Sequence, residues 1–92
     1  MKQIFRVASC GDPFTVKSEK SEGGVLQKRH IVLQELGGRY ENSYMAALLG
    51  KDATLQFYAG DLVAAALRFS TREYNGQVYQ DIVVSDIVKL NQ

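Results

Sequence analysis

The side chains best suited to chemistry in this chain are its tyrosines and its cations. Arg72 and Tyr74 stand just before Asn75-Gly76, and Tyr79 follows it. Tyr40 and Tyr44 fall on one parity of a run, and Lys17, Lys20, Lys28 and Arg68 are spread along the chain. An exposed ring beside a fixed positive charge can stack a planar ring and neutralise an anionic chain, which is what a single strand of nucleic acid asks for. Each residue also has a plainer reading. Tyr74 can pack across a hairpin onto Tyr79, as cross-strand aromatics do. Tyr40 and Tyr44 can belong to a core or a subunit interface. Lysines on strand edges routinely serve only to deter edge-to-edge association.

Catalytic chemistry is harder to find. His30 and Cys10 are single copies of their types, and no Cys-x-x-Cys or His-x-Glu spacing offers a recognisable metal site. Cys10 and His30 can be drawn as nucleophile and base, yet nothing in the sequence orients the pair. Gly23-Gly24 and Gly37-Gly38 lack the Lys-Ser or Lys-Thr that a phosphate-cradling loop needs. No catalysis, metal or cofactor is therefore expected.

The elements that must hold these side chains centre on Gly60 to Asn91. Two apolar-rich runs, Leu62–Tyr74 and Gln77–Val88, flank Asn75-Gly76, the strongest short signal for a two-residue hairpin of type I′. Val63, Ala65, Leu67 and Phe69 alternate with Ala64, Ala66, Arg68, Ser70 and Arg72, so one face is buried and the other meets water or a ligand. Upstream, residues 3–9 read as a first strand. Gly11-Asp12-Pro13 interrupts it, and Phe14–Lys17 resumes it after a bulge or bend. The polar stretch from Ser18 to Gly24 is a loop. Val25–Leu36 is a second strand, with Lys28, His30, Val32 and Gln34 on one parity and Arg29, Ile31, Leu33 and Glu35 on the other. Leu36-Gly37-Gly38-Arg39 makes a tight connection. Tyr40–Leu49 is a third strand whose alanines and leucines also suit a helix. Asp52 can cap a short helix over Ala53–Tyr58 that buries Leu55 with Ala53, Phe57 or Tyr58.

Five strands with a short helix between the third and fourth is the order of an all-β, Greek-key OB-fold barrel; an SH3-like barrel is the competing reading. The 92 residues fit a single domain, and 46% hydrophobic content with one proline excludes a disordered chain. Net charge is +1, with residues 1–34 at +3 (six basic, three acidic) and 35–92 at −2 (five basic, seven acidic). Global charge thus points to no partner. A lone cysteine precludes an internal disulfide, which favours a reducing, cytoplasmic setting. The opening residues through Cys10 end like a lipoprotein cleavage site, but Arg6 breaks an apolar region already too short for a signal. No run approaches a membrane span.

Several strings, in order, resemble the bacterial single-stranded-DNA-binding protein family and its primosomal replication protein N relatives. These are Gly11-Asp12-Pro13 with Gly23-Gly24 beyond it, Leu49-Gly50-Lys51, Phe69-Ser70-Thr71-Arg72-Glu73-Tyr74, and Val78-Tyr79 leading into Asp81-Ile82-Val83-Val84. The resemblance implies an OB-fold that binds single-stranded DNA in replication or repair, with Tyr74 at a base-stacking position. The chain departs from the pattern in having no tryptophan, in placing Val16 where the family carries a basic residue, and in a shorter second loop. It ends Val88-Lys89-Leu90-Asn91-Gln92, so recruitment of partners through an acidic tail is not expected. The residues expected to carry binding are Lys17, Lys28, Tyr40, Tyr44, Arg68, Arg72, Tyr74 and Tyr79. The expected partner is single-stranded DNA or RNA, bound by a homo-oligomer (dimer or tetramer). The alternative is a protein-interaction or assembly module on the same scaffold.

Overall fold

Alternation of apolar and polar residues decides which face of each strand is buried. The computed structural model describes residues 2–17, 22–37 and 41–90. Among these, six strands run in order: β1 (Gln3–Cys10), β2 (Phe14–Lys17), β3 (Val25–Glu35), β4 (Ser43–Leu49), β5 (Leu62–Tyr74) and β6 (Gln77–Lys89). Short 3₁₀ turns at Glu22–Gly24 and Gly50–Thr54 precede β3 and follow β4.

β1 and β2 are two halves of one bent strand, because both pair antiparallel with β3. Phe5 to Cys10 lie against Glu35 to Ile31, and Phe14 to Lys17 against Lys28 to Val25. The bend falls at Gly11-Asp12-Pro13, where proline offers no N–H to a ladder and the Gly11 N–H donates to His30 O at 2.9 Å. Counting the bent strand once leaves the five expected. Pairing runs β1–β5–β6–β4–β3 and returns to β1, so the sheet closes on itself. β4 and β6 run parallel and meet through Ala47 and Val83. That is the OB strand order, and it settles Ser43–Leu49 as strand.

The interior is filled by Phe5 and Val7 of β1, Ile31 and Leu33 of β3, Ala46 and Leu48 of β4, Val63 and Ala65 of β5, and Val84 and Ile87 of β6. Spacing is two within each strand until β6, where it is three. Ser85 is the extra residue there: the register shifts between Ala66 and Leu67, and Ser85 Oγ donates to Ala66 O at 3.1 Å. A bulge of this kind bends the hairpin where it leaves the barrel. Each fully buried large side chain, such as Phe5 or Leu33, contributes roughly 1.5–3 kcal/mol by leaving water.

The expected helix over Ala53–Tyr58 does not form. Only the 3₁₀ turn Gly50–Thr54 is helical, Asp52 makes no N-cap, and Leu55 is extended (φ −77, ψ 145). Two carbonyls of the segment accept hydrogen bonds from side chains of other strands. Arg29 Nη1 donates to Leu55 O at 2.6 Å, and Lys89 Nζ donates to Gln56 O at 3.0 Å. Ala53 and Phe57 are buried as expected, whereas Leu55 and Tyr58 are exposed. Arg29, on the core parity of β3, is itself only 7% exposed. It pins this connection under the barrel end.

Candidate functional site

Asn75 and Gly76 adopt φ of 53° and 76°, the left-handed values a type I′ turn requires at both central positions. The register follows from that turn: Tyr74 faces Gln77, Arg72 faces Tyr79, Ser70 faces Asp81 and Arg68 faces Val83. From Arg68 to Gln80 every residue is exposed, so the hairpin stands out from the barrel as a free wall. β1 pairs with β5 only through residues 62–65, which leaves the rest of β5 clear of it.

A groove of about 350 Å³ runs between this wall and the outer face of β3–β4. Lys28 and His30 come from β3, because their parity is opposite to that of buried Ile31 and Leu33. Met45, Ala47 and Leu49 form an apolar floor on the outward parity of β4. Ser70, Arg72, Gln80 and Asp81 line the hairpin side. Met45 is 65% exposed, a large apolar surface left open to a ligand.

Contacts within the groove fix its chemistry. Arg72 Nε donates to Asp81 Oδ2 at 2.9 Å, and the same guanidinium lies over the Tyr79 ring at 4.8 Å from its centroid. Tyr79 Oη donates to Gln77 Oε1 at 2.7 Å, and Gln80 Nε2 donates to Ser70 O at 3.0 Å. The hairpin wall is therefore ordered and close to electrically neutral. Lys28, on the opposite wall, forms no ion pair among the described residues. His30 meets the Phe14 ring at 5.4 Å between centroids. Such a groove can take a flat, partly apolar and anionic chain, with charge along one wall and hydrogen-bonding groups along the other.

The structure brings Lys28 and Arg72 together across this groove, with Tyr79 stacked behind Arg72. Arg68 shares the face of Ser70 and Arg72 nearer the barrel, and Tyr74 shares it at the tip, 62% exposed. Tyr79 is partnered by Arg72, so Tyr74 does not pack across the hairpin onto it. Lys17 pairs with Val25, on the parity opposite to Phe14 and Lys28, and is exposed away from the groove lining. Tyr44 turns inward. Its ring meets Phe5 and Phe69 edge-on, each at 6.0 Å, and its hydroxyl donates to Glu35 Oε2 at 3.2 Å. Partial burial, then the Glu35 carboxylate, raises its pKa above the usual phenol value. Tyr40, together with Lys20, lies outside the described residues. His30, Met45 and Asp81 line the groove although none is among the residues expected to carry binding. Strand parity would have found the first two, and counting rungs back from Asn75-Gly76 the third.

Cys10 packs against the core while His30 lines the groove, so the drawn nucleophile–base pair is split between two faces. No cluster of metal-ligating side chains occurs among the described residues, and none of their helices is long and apolar enough to cross a membrane.

No protein-family model and no curated protein matches the chain. Among solved structures it is similar to the second OB-fold domain of replication protein A from Methanococcus maripaludis, determined by NMR in solution. The TM-score is 0.69 at 13% identity, over 99% of this chain and 83% of that one. With its own strand order and this likeness, the chain is an OB-fold.

Proposed function

We propose that this domain binds single-stranded nucleic acid, DNA foremost, in the groove between β3–β4 and the β5–β6 hairpin. One observation carries the reading: the apolar Met45–Ala47–Leu49 floor lies between Lys28, which has no ion pair among the described residues, and a hairpin bearing Arg72, Tyr74 and Tyr79. Bases stack or lie flat on apolar and aromatic surface, while the backbone follows positive charge. The likeness to a replication protein A domain and the motif resemblance to bacterial single-stranded-DNA-binding and primosomal proteins support the same reading.

Fluorescence anisotropy with a labelled mixed-sequence DNA strand at two salt concentrations tests it. Tyr74→Ala weakens binding by about ten-fold if the ring is a platform, since stacking is worth roughly 1–3 kcal/mol per base. Lys28→Ala reduces the log–log salt slope by about 0.7, the share of one phosphate contact on a single strand. Arg72→Ala leaves that slope nearly unchanged, because Asp81 already neutralises the guanidinium. Absence of binding by the parent at micromolar protein and low salt would overturn the proposal.

A second reading, an assembly module, is favoured by a separate surface. Ile4, Ala64 and Val88 are paired in one row across the outer β1–β5–β6 face, and Ile4 and Val88 are 51% and 46% exposed. This face lies apart from the groove, so self-association and nucleic-acid binding are compatible.

A further inference from the structure

The groove contains a carboxylate that a surface serving only to attract phosphate would not place there. Asp81 lines the hairpin wall with its side chain 38% exposed. One of its oxygens is taken by Arg72 Nε at 2.9 Å, and Arg72 is in turn held over Tyr79. Directly across the rung is Ser70, whose carbonyl is occupied by Gln80. The carboxylate is thus held by its neighbours and keeps acceptor capacity facing the groove.

We propose that Asp81 reads the exocyclic amino group of a bound base, so that the groove prefers cytosine to uracil or thymine. The inference rests on the nucleic-acid reading above and adds a specificity to it. Lys28 attracts phosphate to its own wall, whereas the Arg72–Asp81 pair gives the hairpin wall little net charge, so the backbone runs along β3 and the base edges face the hairpin. A carboxylate accepts hydrogen bonds and donates none. Cytosine offers its N4 amino group, a recognised partner of Asp and Glu side chains. Uracil and thymine place a carbonyl oxygen at the same position, setting lone pairs against lone pairs. The Arg72 guanidinium alongside supplies donors suited to cytosine N3 or O2, the acceptors next to that amine.

The test compares labelled oligo-dC with oligo-dU of equal length, two strands that share backbone and ring size and differ at the edge to be read. Slightly alkaline buffer keeps cytosine unprotonated. The parent is expected to bind oligo-dC on the order of ten-fold more tightly, the scale of one good base-edge contact. Asp81→Asn, equal in shape but uncharged, should bring the two affinities together, chiefly by raising that for oligo-dU. An exposed ion pair adds little to stability, so the variant folds, and its melting curve verifies this. Equal affinities in the parent, or a cytosine preference that survives Asp81→Asn, overturn this inference and leave the binding reading standing. Failure of the parent to bind either strand overturns both.

Discussion

Gly76 shows how a single position can be dictated by backbone geometry alone. Its φ is +76°, and a Cβ built there would meet nothing within 4 Å. Space is therefore not the constraint; the left-handed conformation is. Gly76→Val should destabilise the domain by about 1 kcal/mol or more through that strain, read as a lower melting temperature, and an unchanged melt would refute the turn assignment. Asn75-Gly76 was legible because so few residues tolerate the conformation. Tyr44 was legible only in part. Its spacing from Ala46 and Leu48 placed it on the core parity, but spacing cannot show that Phe5, Phe69 and Glu35 enclose it. Asp81 escaped notice because its meaning depends on a partner, Arg72, reached only through the hairpin register.

Between residues and the whole lie the elements, and here the connection from Gly50 to Asp61 is the instructive one. Local preference favoured a helix after Asp52, yet Leu55 is extended, and side chains from β3 and β6 bond to the Leu55 and Gln56 carbonyls. No local pattern announces a donor arriving from 26 residues away. The segment is closed by Asp61, whose Oδ2 accepts the Tyr58 N–H at 2.8 Å and lies 3.2 Å from Lys89 Nζ. The Tyr58 N–H first, then Lys89, lowers the Asp61 pKa below the usual carboxylate value, although partial burial opposes this. A carboxyl with a lowered folded pKa stabilises the fold above its unfolded pKa, and that contribution is lost as pH falls through the folded value. Acid should thus loosen this connection at and below the ordinary carboxylate range. Asp61→Asn should lower the melting temperature at neutral pH and flatten the acid side of a stability–pH profile from thermal melts. A profile that keeps its full acid slope in the variant would exclude Asp61 as the source. Asp86, lowered by Lys2, is more exposed than Asp61 and so contributes less.

For the whole molecule, ring closure sets the groove and an exposed apolar row on different sides of the surface. Strand count and order were readable because each strand alternates and each break carries Gly, Asp, Asn or Pro. What lies on the outside of the barrel was not, since it depends on which strands become neighbours. Closure puts the groove on the β3–β4 side. On the β1–β5–β6 side it sets Ile4, Ala64 and Val88 in one row, with Leu90 joined to Leu62 beside them through a backbone bond of 2.8 Å. Lys2 and Asp86, paired at 2.8 Å, form a polar border to that row. An apolar row with a polar rim on a sheet face can meet its own copy across a two-fold axis, where the same patch serves both partners. We expect a homodimer through this face, with both grooves left open. Light scattering should give about twice the 10.2 kDa chain mass. Val88→Glu places a charge in the row and should yield a monomer. Its position is exposed in the single chain, so the monomer's own fold should change in stability by only about 0.5 kcal/mol. Nucleic-acid affinity per chain should be preserved, because the groove lies on the other side. A parent that scatters as a single chain at micromolar concentration would remove this face as an interface, and a Val88→Glu dimer would move the interface to the open hairpin edge.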